Sequence, residues 1–317
     1  MQRRGFITIL GGAAAWPLMA RAQGAMPVIG FLSTLPSGAN EAAFRRGLAE
    51  EGYVEGKNLA IEKRFTNFRP ELMKEAAGDL VRLEVNVIFA TTPEAVAAAR
   101  NATSSIPTVA VDMESDPVAM RYIKSLAHPG GNLTGVFLDL PELSGKQVGL
   151  LKEMVPGLSR IAIFGIRGLN AAQFAAAASA VRTVGVEAEI IEVQVPDDWR
   201  RALEAAKTRQ VEAGILLSSP LVSISSEQIC ELALANRLPL ISLFSEFGGL
   251  IGYGPSIAAM VQRAGVYVGK ILHGAKPNDL PIQRPEKFDH VINLKTAEAL
   301  GISVPSELLA RADEVIE

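Results

Sequence analysis

Cysteine is almost missing from this 317-residue chain: Cys230 is the only one. A single thiol forms no internal disulfide and no zinc site built on paired cysteines. Histidine is scarce too, with His128, His273 and His290 alone and no two at metal-ligand spacing. Aromatic residues amount to 6%, too few for a broad base-stacking surface. Neither sign of charge dominates. Lys plus Arg number 31 against 34 Asp plus Glu, a formal charge of −3, which excludes whole-chain attraction to nucleic acid. Reaction signatures are missing as well. No Gly-x-Gly-x-x-Gly follows a strand pattern, and no Gly-x-Ser-x-Gly elbow occurs. Gly145-Lys146 lacks the glycine spacing and the following Ser or Thr of a phosphate loop. The expectation is therefore no enzyme, no cofactor and no metal.

What is present is the composition of an ordinary globular chain, 49% hydrophobic and 21% charged, at a length that predicts about two domains. The first residues read differently. Arg3 and Arg4 precede an uncharged run from Gly5 to Ala20, and Ala20-Arg21-Ala22 has small-x-small form. This is the three-part pattern of an export signal, and Arg3-Arg4-Gly5-Phe6-Ile7 resembles its twin-arginine variety. The run is short for a membrane span, which needs about 20 apolar residues, so no stable membrane insertion is expected. Gly11, Gly12 and Pro17 would weaken a helix there. Cleavage near Ala22 removes 22 residues with three arginines. It leaves 295 residues at a formal charge of −6 in the bacterial periplasm. Cys230 is far from that site, so a lipid tether is not expected.

Beyond residue 26, apolar runs alternate with helical periodicity. Strands are predicted at Pro27–Leu32, Leu59–Phe65, Val85–Ala90 and Pro107–Asp112, with helices at Glu41–Gly52, Pro70–Leu83 and Pro93–Ala102 between them. A second set has strands at Arg160–Ile166, Val186–Val195, Ala213–Ser218 and Pro239–Leu243. Its helices are Asn170–Gly185, Asp198–Gln210 and Ser225–Asn236. Ser256–His273 is a long helix, Phe288–Leu294 a strand, and two short helices follow. The two sets match in plan, with little identity. They predict an α/β chain of two doubly wound parallel-sheet lobes. Gly130-Gly131-Asn132 and Gly252-Tyr253-Gly254-Pro255 are hinge or crossover candidates.

Such sheets bind ligands where strand C-terminal ends meet helix N-termini; with two lobes facing each other, that place is the cleft between them. The candidate residues follow. Ser33 and Thr34 end the first strand, and Thr91 and Thr92 stand before a helix, a combination suited to a carboxylate. Asp112, Glu114 or Glu246 could hold an ammonium. Arg167 could take a carboxylate bidentately, with a solvated surface arginine as the bland reading. Asn170, Ser218 and Ser219 end strands of the second set. For each hydroxyl or amide, plain helix capping is an equal alternative. Phe65, Phe68, Phe137 and Phe247 could supply an aromatic wall, with core packing the stronger reading for Phe137.

Four stretches carry a family resemblance: Phe44–Asn58 (FRRGLAEEGYVEGKN), Pro129–Val136 (PGGNLTGV), Gly252–Ser256 (GYGPS) and the tail Val291–Glu317. From Val28 onward the chain resembles the substrate-binding proteins of ABC importers, a family that includes binders of tryptophan and other aromatic amino acids. The resemblance implies the type I periplasmic binding protein fold, with a three-crossover hinge. Residues 27–132 with 256–284 would form the first lobe and 135–252 with 287–317 the second, crossing near 133, 254 and 285. It implies a monomeric solute-capturing protein that closes on its ligand and docks on membrane permease subunits. The expected solute bears a carboxylate, as an amino acid or aromatic acid does. The sequence departs from the family at Asp112–Pro117 and Gly165–Asn170, where ligand contacts are expected. Two other roles stay open: presenting a solute to a receptor kinase, and periplasmic catalysis.

Overall fold

The computed structural model describes residues 26–243 and 249–317. The export-signal reading of residues 1–22 and the candidates Glu246 and Phe247 lie outside the described residues. The first sheet is parallel and five-stranded. Its strands are β1 (Val28–Ser33), β2 (Ala60–Phe65), β3 (Val87–Thr91), β4 (Thr108–Asp112) and β5 (Leu133–Phe137), in the order β2-β1-β3-β4-β5. Strands β1, β3 and β4 are apolar because helices cover both faces. Helix α1 (Gly38–Glu50) lies on one face, and α2 (Met73–Arg82) and α3 (Pro93–Ala102) on the other.

Helix α4 (Leu140–Met154) opens the second lobe. Its sheet contains β6 (Arg160–Ile166), β7 (Glu187–Val193), β8 (Ala213–Leu216), β9 (Leu240–Ser242), β10 (Ile251–Pro255), β11 (Phe288–Asn293) and β12 (Glu314–Ile316), in the order β12-β11-β10-β9-β8-β6-β7. The remaining helices are α5 (Ala171–Thr183), α6 (Asp198–Thr208), α7 (Pro220–Ile224), α8 (Ser226–Ala235), α9 (Ile257–Leu272), α10 (Leu294–Leu300) and α11 (Ser306–Leu309). This sheet is mixed, because β10 and β11 run antiparallel. The reason lies in the chain path: β10 leads out to the first lobe and β11 leads back from it.

Helix α9 follows second-lobe strand β10, yet it packs on α1 of the first lobe. The two helices approach at glycine: a Cβ on Gly47 or Gly265 would collide with the backbone of the other helix. Residues 282–283 then run beside β5, with Phe137 N–H donating to Gln283 O at 2.9 Å, before β11 returns to the second sheet. Among the described residues, the chain thus passes between the sheets three times.

The first passage differs from the one expected near residue 133. Residues 133–137 are a buried strand of the first sheet, paired with β4 over its whole length, so the chain leaves that lobe after Phe137. Gly135 explains the weak strand signal: it adopts φ +146°, and a Cβ there would strike the Ala110 backbone. At the crossings, Asp139 caps α4 and forms an ion pair with Arg284 of the third passage. The expected hinge at 252–255 is strand β10, with the Tyr253 ring stacked on Phe288 at 5.7 Å.

Candidate functional site

The strand order β2-β1-β3 reverses direction between β1 and β3, and open α/β sheets form their ligand crevice at such a switch point. There, Thr91 Oγ1 donates to Ser33 Oγ at 2.7 Å, and the Thr34 and Thr92 hydroxyls lie 3.3 Å apart. All four residues line a cavity of about 570 Å³ between the two lobes. The second lobe contributes Ser218 and Ser219 from the end of β8, which flanks the equivalent switch point, together with Gly254, Pro255 and Asp289. Apolar side chains complete the lining, among them Leu35, Val111, Met113, Leu243, Ile257 and Val261.

Three helices of the first lobe begin at this cavity. Ser37 caps α1, Thr92 caps α3 and Ser256 caps α9; each side-chain oxygen accepts from the backbone N–H three residues on, at 3.4 Å. All three capping residues also line the cavity. Helix capping and a place in the cavity lining, alternatives when read from sequence, therefore coincide in the same residues. Converging N-termini bring partial positive charge and suit an anionic group.

Thr92 holds φ 94° and ψ 148°, a region that side-chain-bearing residues rarely occupy. Strain of this kind costs about 1–3 kcal/mol and concentrates at functional sites. Asn67 and Phe68 are also left-handed, with φ 50° and 58°, and this turn sets Phe68 in the cavity lining. Phe65 instead is half-buried and packs edge-on against Phe31 of the core, at 5.6 Å between ring centres.

The other face of the cavity is acidic. Glu114 lies on it, 5% exposed, and Ser218 Oγ from the opposite lobe donates to its Oε1 at 2.5 Å. Asp112 is fully buried in the same loop. Its Oδ1 accepts from the backbone N–H groups of Glu114 and Ser115 at 3.0 and 2.9 Å, while Oδ2 has no partner at hydrogen-bonding distance and angle. Burial pushes both carboxyls up, against the hydrogen bonds that hold them down; Glu114, with the Asp112 charge beside it, reaches about 8. No Arg, Lys or His is among the described residues that line the cavity.

Three candidates do other work. Arg167, expected to grip a carboxylate, is an exposed surface residue paired with Glu192 at 2.5 Å. Strand β7 carries that glutamate beside the end of β6, and the pair keeps the guanidinium in water. Asn170 is fully buried and acts as a brace. Its Oδ1 accepts from Ile166 N–H at 2.6 Å, and its Nδ2 donates to Gln173 Oε1 and Ser218 O at 2.5 and 2.7 Å. Phe137 is core, 1% exposed among Leu133, Ile88 and Ala110. Reading by sequence missed Ser256, Ile257, Val261 and Asp289, which line the cavity from α9 and β11. A signal for the first three existed, because α9 starts directly after the glycine-rich 252–255 segment.

A second void of about 730 Å³ also lies between the lobes, lined by residues 116–119 and by small residues of α5 such as Ala172, Ala176 and Ala180. The Asp139–Arg284 pair belongs to its lining.

Two α/β lobes, three crossings and a cleft of hydroxyls, helix N-termini and carboxyls define a solute-binding protein of the type I periplasmic fold. The chain belongs to the family of ABC transporter substrate-binding proteins, whose model matches residues 27–316. It is similar to a structure from Vibrio cholerae described as a conserved domain protein, with 25% identity and a TM-score of 0.84 over 92% of this chain and 99% of that one. It shares its fold with a Streptococcus pneumoniae ABC domain in complex with L-Trp, at 22% identity and a TM-score of 0.84 over the same shares. A tyrosine-binding protein of Clostridioides difficile is 23% identical over 268 residues, 82% of this chain and 75% of that protein. Among the described residues, no helix is long and apolar enough to cross a membrane.

Proposed function

We propose that the protein captures a small amino acid-like solute in the cleft and delivers it to an ABC permease. The observation that carries this reading is the pairing, in one cavity, of three helix N-termini with a carboxyl group and a largely apolar lining. The helix ends suit a carboxylate, and a cavity of about 570 Å³ falls within the range of small-molecule sites. Relatives described as tyrosine-binding and as complexed with L-Trp support the same solute class.

Capture proceeds by closure about the three crossings, so that both lobes contact the solute and the closed form docks on permease subunits. The protein works as a monomer in the periplasm, after export and cleavage near Ala22. Selectivity follows from burial, since each unmatched polar group left in the closed cleft costs about 1–3 kcal/mol. Thermal-shift screening against amino acids, aromatic acids, nucleosides and neutral sugars tests the reading. Amino acids should raise the melting temperature; stabilisation by sugars or nucleosides alone refutes it.

A further inference from the structure

We infer that the two lobes are latched to each other by protein groups alone, so that the protein without solute is predominantly closed and opening gates solute entry. The latch is a chain of hydrogen bonds from α5 and the end of β8 to the loop after β4. Gln173 is its positioning residue. The inference rests on the proposed closure about the crossings, and not on which solute binds.

The order of donors and acceptors fixes the chain. Ile166 N–H donates to Asn170 Oδ1, so the Asn170 amide presents Nδ2 on its other side. That nitrogen donates to Ser218 O and to Gln173 Oε1, at 2.7 and 2.5 Å. With Oε1 engaged, Gln173 turns Nε2 to the first lobe and donates to Met113 O at 3.1 Å. One residue on, Glu114 Oε1 accepts from the Ser218 hydroxyl at 2.5 Å. The second lobe thus grips two adjacent residues of one first-lobe loop. Asn170, Gln173, Ser218 and Glu114 are each at most 5% exposed.

Both partners in each of these bonds are protein atoms, so the bonds form with or without solute. Neither Asn170 nor Gln173 is among the residues that line either void. Gln173 therefore acts on a solute only through the lobes. Apolar packing points the same way. Leu140 and Leu143 of α4 and Leu243 after β9 share a buried cluster with Val111 and Val136 of the first sheet, and Ala172 and Ala176 of α5 pack against it. Gln173 touches Met113, which lines the solute cavity, while Ala172 and Ala176 beside it line the second void. The lobes are therefore joined at this turn of α5.

Each neutral hydrogen bond shifts such an equilibrium roughly fivefold, and two across the lobes make the closed form the major one. A solute enters only the open minority, so association is slowed by that fraction. A bound solute leaves only after the latch breaks.

Small-angle scattering and stopped-flow mixing with L-tryptophan test the latch. Scattering from the protein without solute should match the lobe arrangement of this structure and change little when L-tryptophan is added. Gln173→Met removes the donor at nearly unchanged volume. Without solute it should scatter as a more extended molecule, and L-tryptophan should contract it to the parent dimensions. Association and dissociation of L-tryptophan should both speed up roughly fivefold, with affinity changed less than either rate. A defect of folding or of the cavity would not speed association. Gln173→Glu, which keeps the acceptor for Asn170 and loses only the donor, should act in the same direction. Parent protein that is extended without solute and contracts on adding it overturns the inference, as do unchanged rates in both variants. Failure of L-tryptophan to bind counts against the amino acid reading, while the scattering of parent and variants without solute still decides the latch.

Discussion

Strands β1 and β6 hold equivalent positions in their lobes. Each is a buried strand beside the sheet's switch point, followed by a polar loop and a helix. After β1, Ser33 and Thr34 end in the cavity. After β6, the polar residues turn elsewhere: Arg167 to Glu192 at the surface, Asn170 inward to Ile166, Gln173 and Ser218. The second loop still serves the cleft, but indirectly. Asn170 holds the Ser218 carbonyl, while the Ser218 hydroxyl reaches Glu114. Gln173, bonded to Asn170, also donates to Met113 O of the first lobe at 3.1 Å. The same kind of strand end can thus present polar groups to the cavity or brace the residue that does. Burial and hydrogen-bond partners, not residue type, separate the two outcomes.

The largest effect should come from the brace. Asn170→Ala leaves the Ile166 N–H and the Ser218 carbonyl without their partner. It should cost about 3 kcal/mol of stability in urea unfolding, with weaker solute binding as Ser218 loses its position. Ser33→Ala, at the matching strand end, should change stability by less than about 1 kcal/mol and lower solute affinity roughly tenfold. A reversal of these two patterns breaks the comparison.

A pH series comes next. The Glu114 carboxyl rises from 4.5 to about 8 on folding. The native state therefore holds the extra proton between those values, and its contribution to stability is full below about 4.5 and lost as pH rises through about 8. The empty protein should lose stability steadily as pH rises across that window, and Glu114→Gln should flatten the slope. Glu41 and Glu212 behave oppositely. A bond from Lys63 holds the first carboxyl down, and backbone N–H groups of Ser159 and Arg160 hold the second, so their contributions are lost only toward acid.

Thr92→Gly should follow, raising stability by about 1 kcal/mol through relief of the positive φ while weakening solute binding through loss of the hydroxyl. The smallest effect belongs to Arg167→Ala. An exposed ion pair contributes at most about 1 kcal/mol, and chemical unfolding and solute titration should both be nearly unchanged.

Most of the architecture was readable because it is written in periodicity. Pro93–Ala102 and Arg160–Ile166 occupy the ranges that their sequence patterns predict. Two elements are hidden by glycine. Gly135 interrupts β5, and Gly145 and Gly149 lower the helix propensity of α4. The hydroxyls at β1 and β3 were legible from position alone. The roles of Arg167 and Asn170 were not, because Glu192 of β7 and the Ser218 carbonyl become their neighbours only when the sheet forms. Asp289 was equally hidden, since it comes to the cavity from a strand that returns after a crossing.

The central claim is that solute binds at the β1–β3 switch point, between the hydroxyl pairs and Glu114. A crystal structure grown with L-tryptophan tests it most directly. The account predicts density in the cavity of about 570 Å³, with the carboxylate at the helix N-termini near Thr92 and the amine within hydrogen-bonding reach of Glu114. Solute seated in the second void, against α5 and residues 116–119, would contradict it.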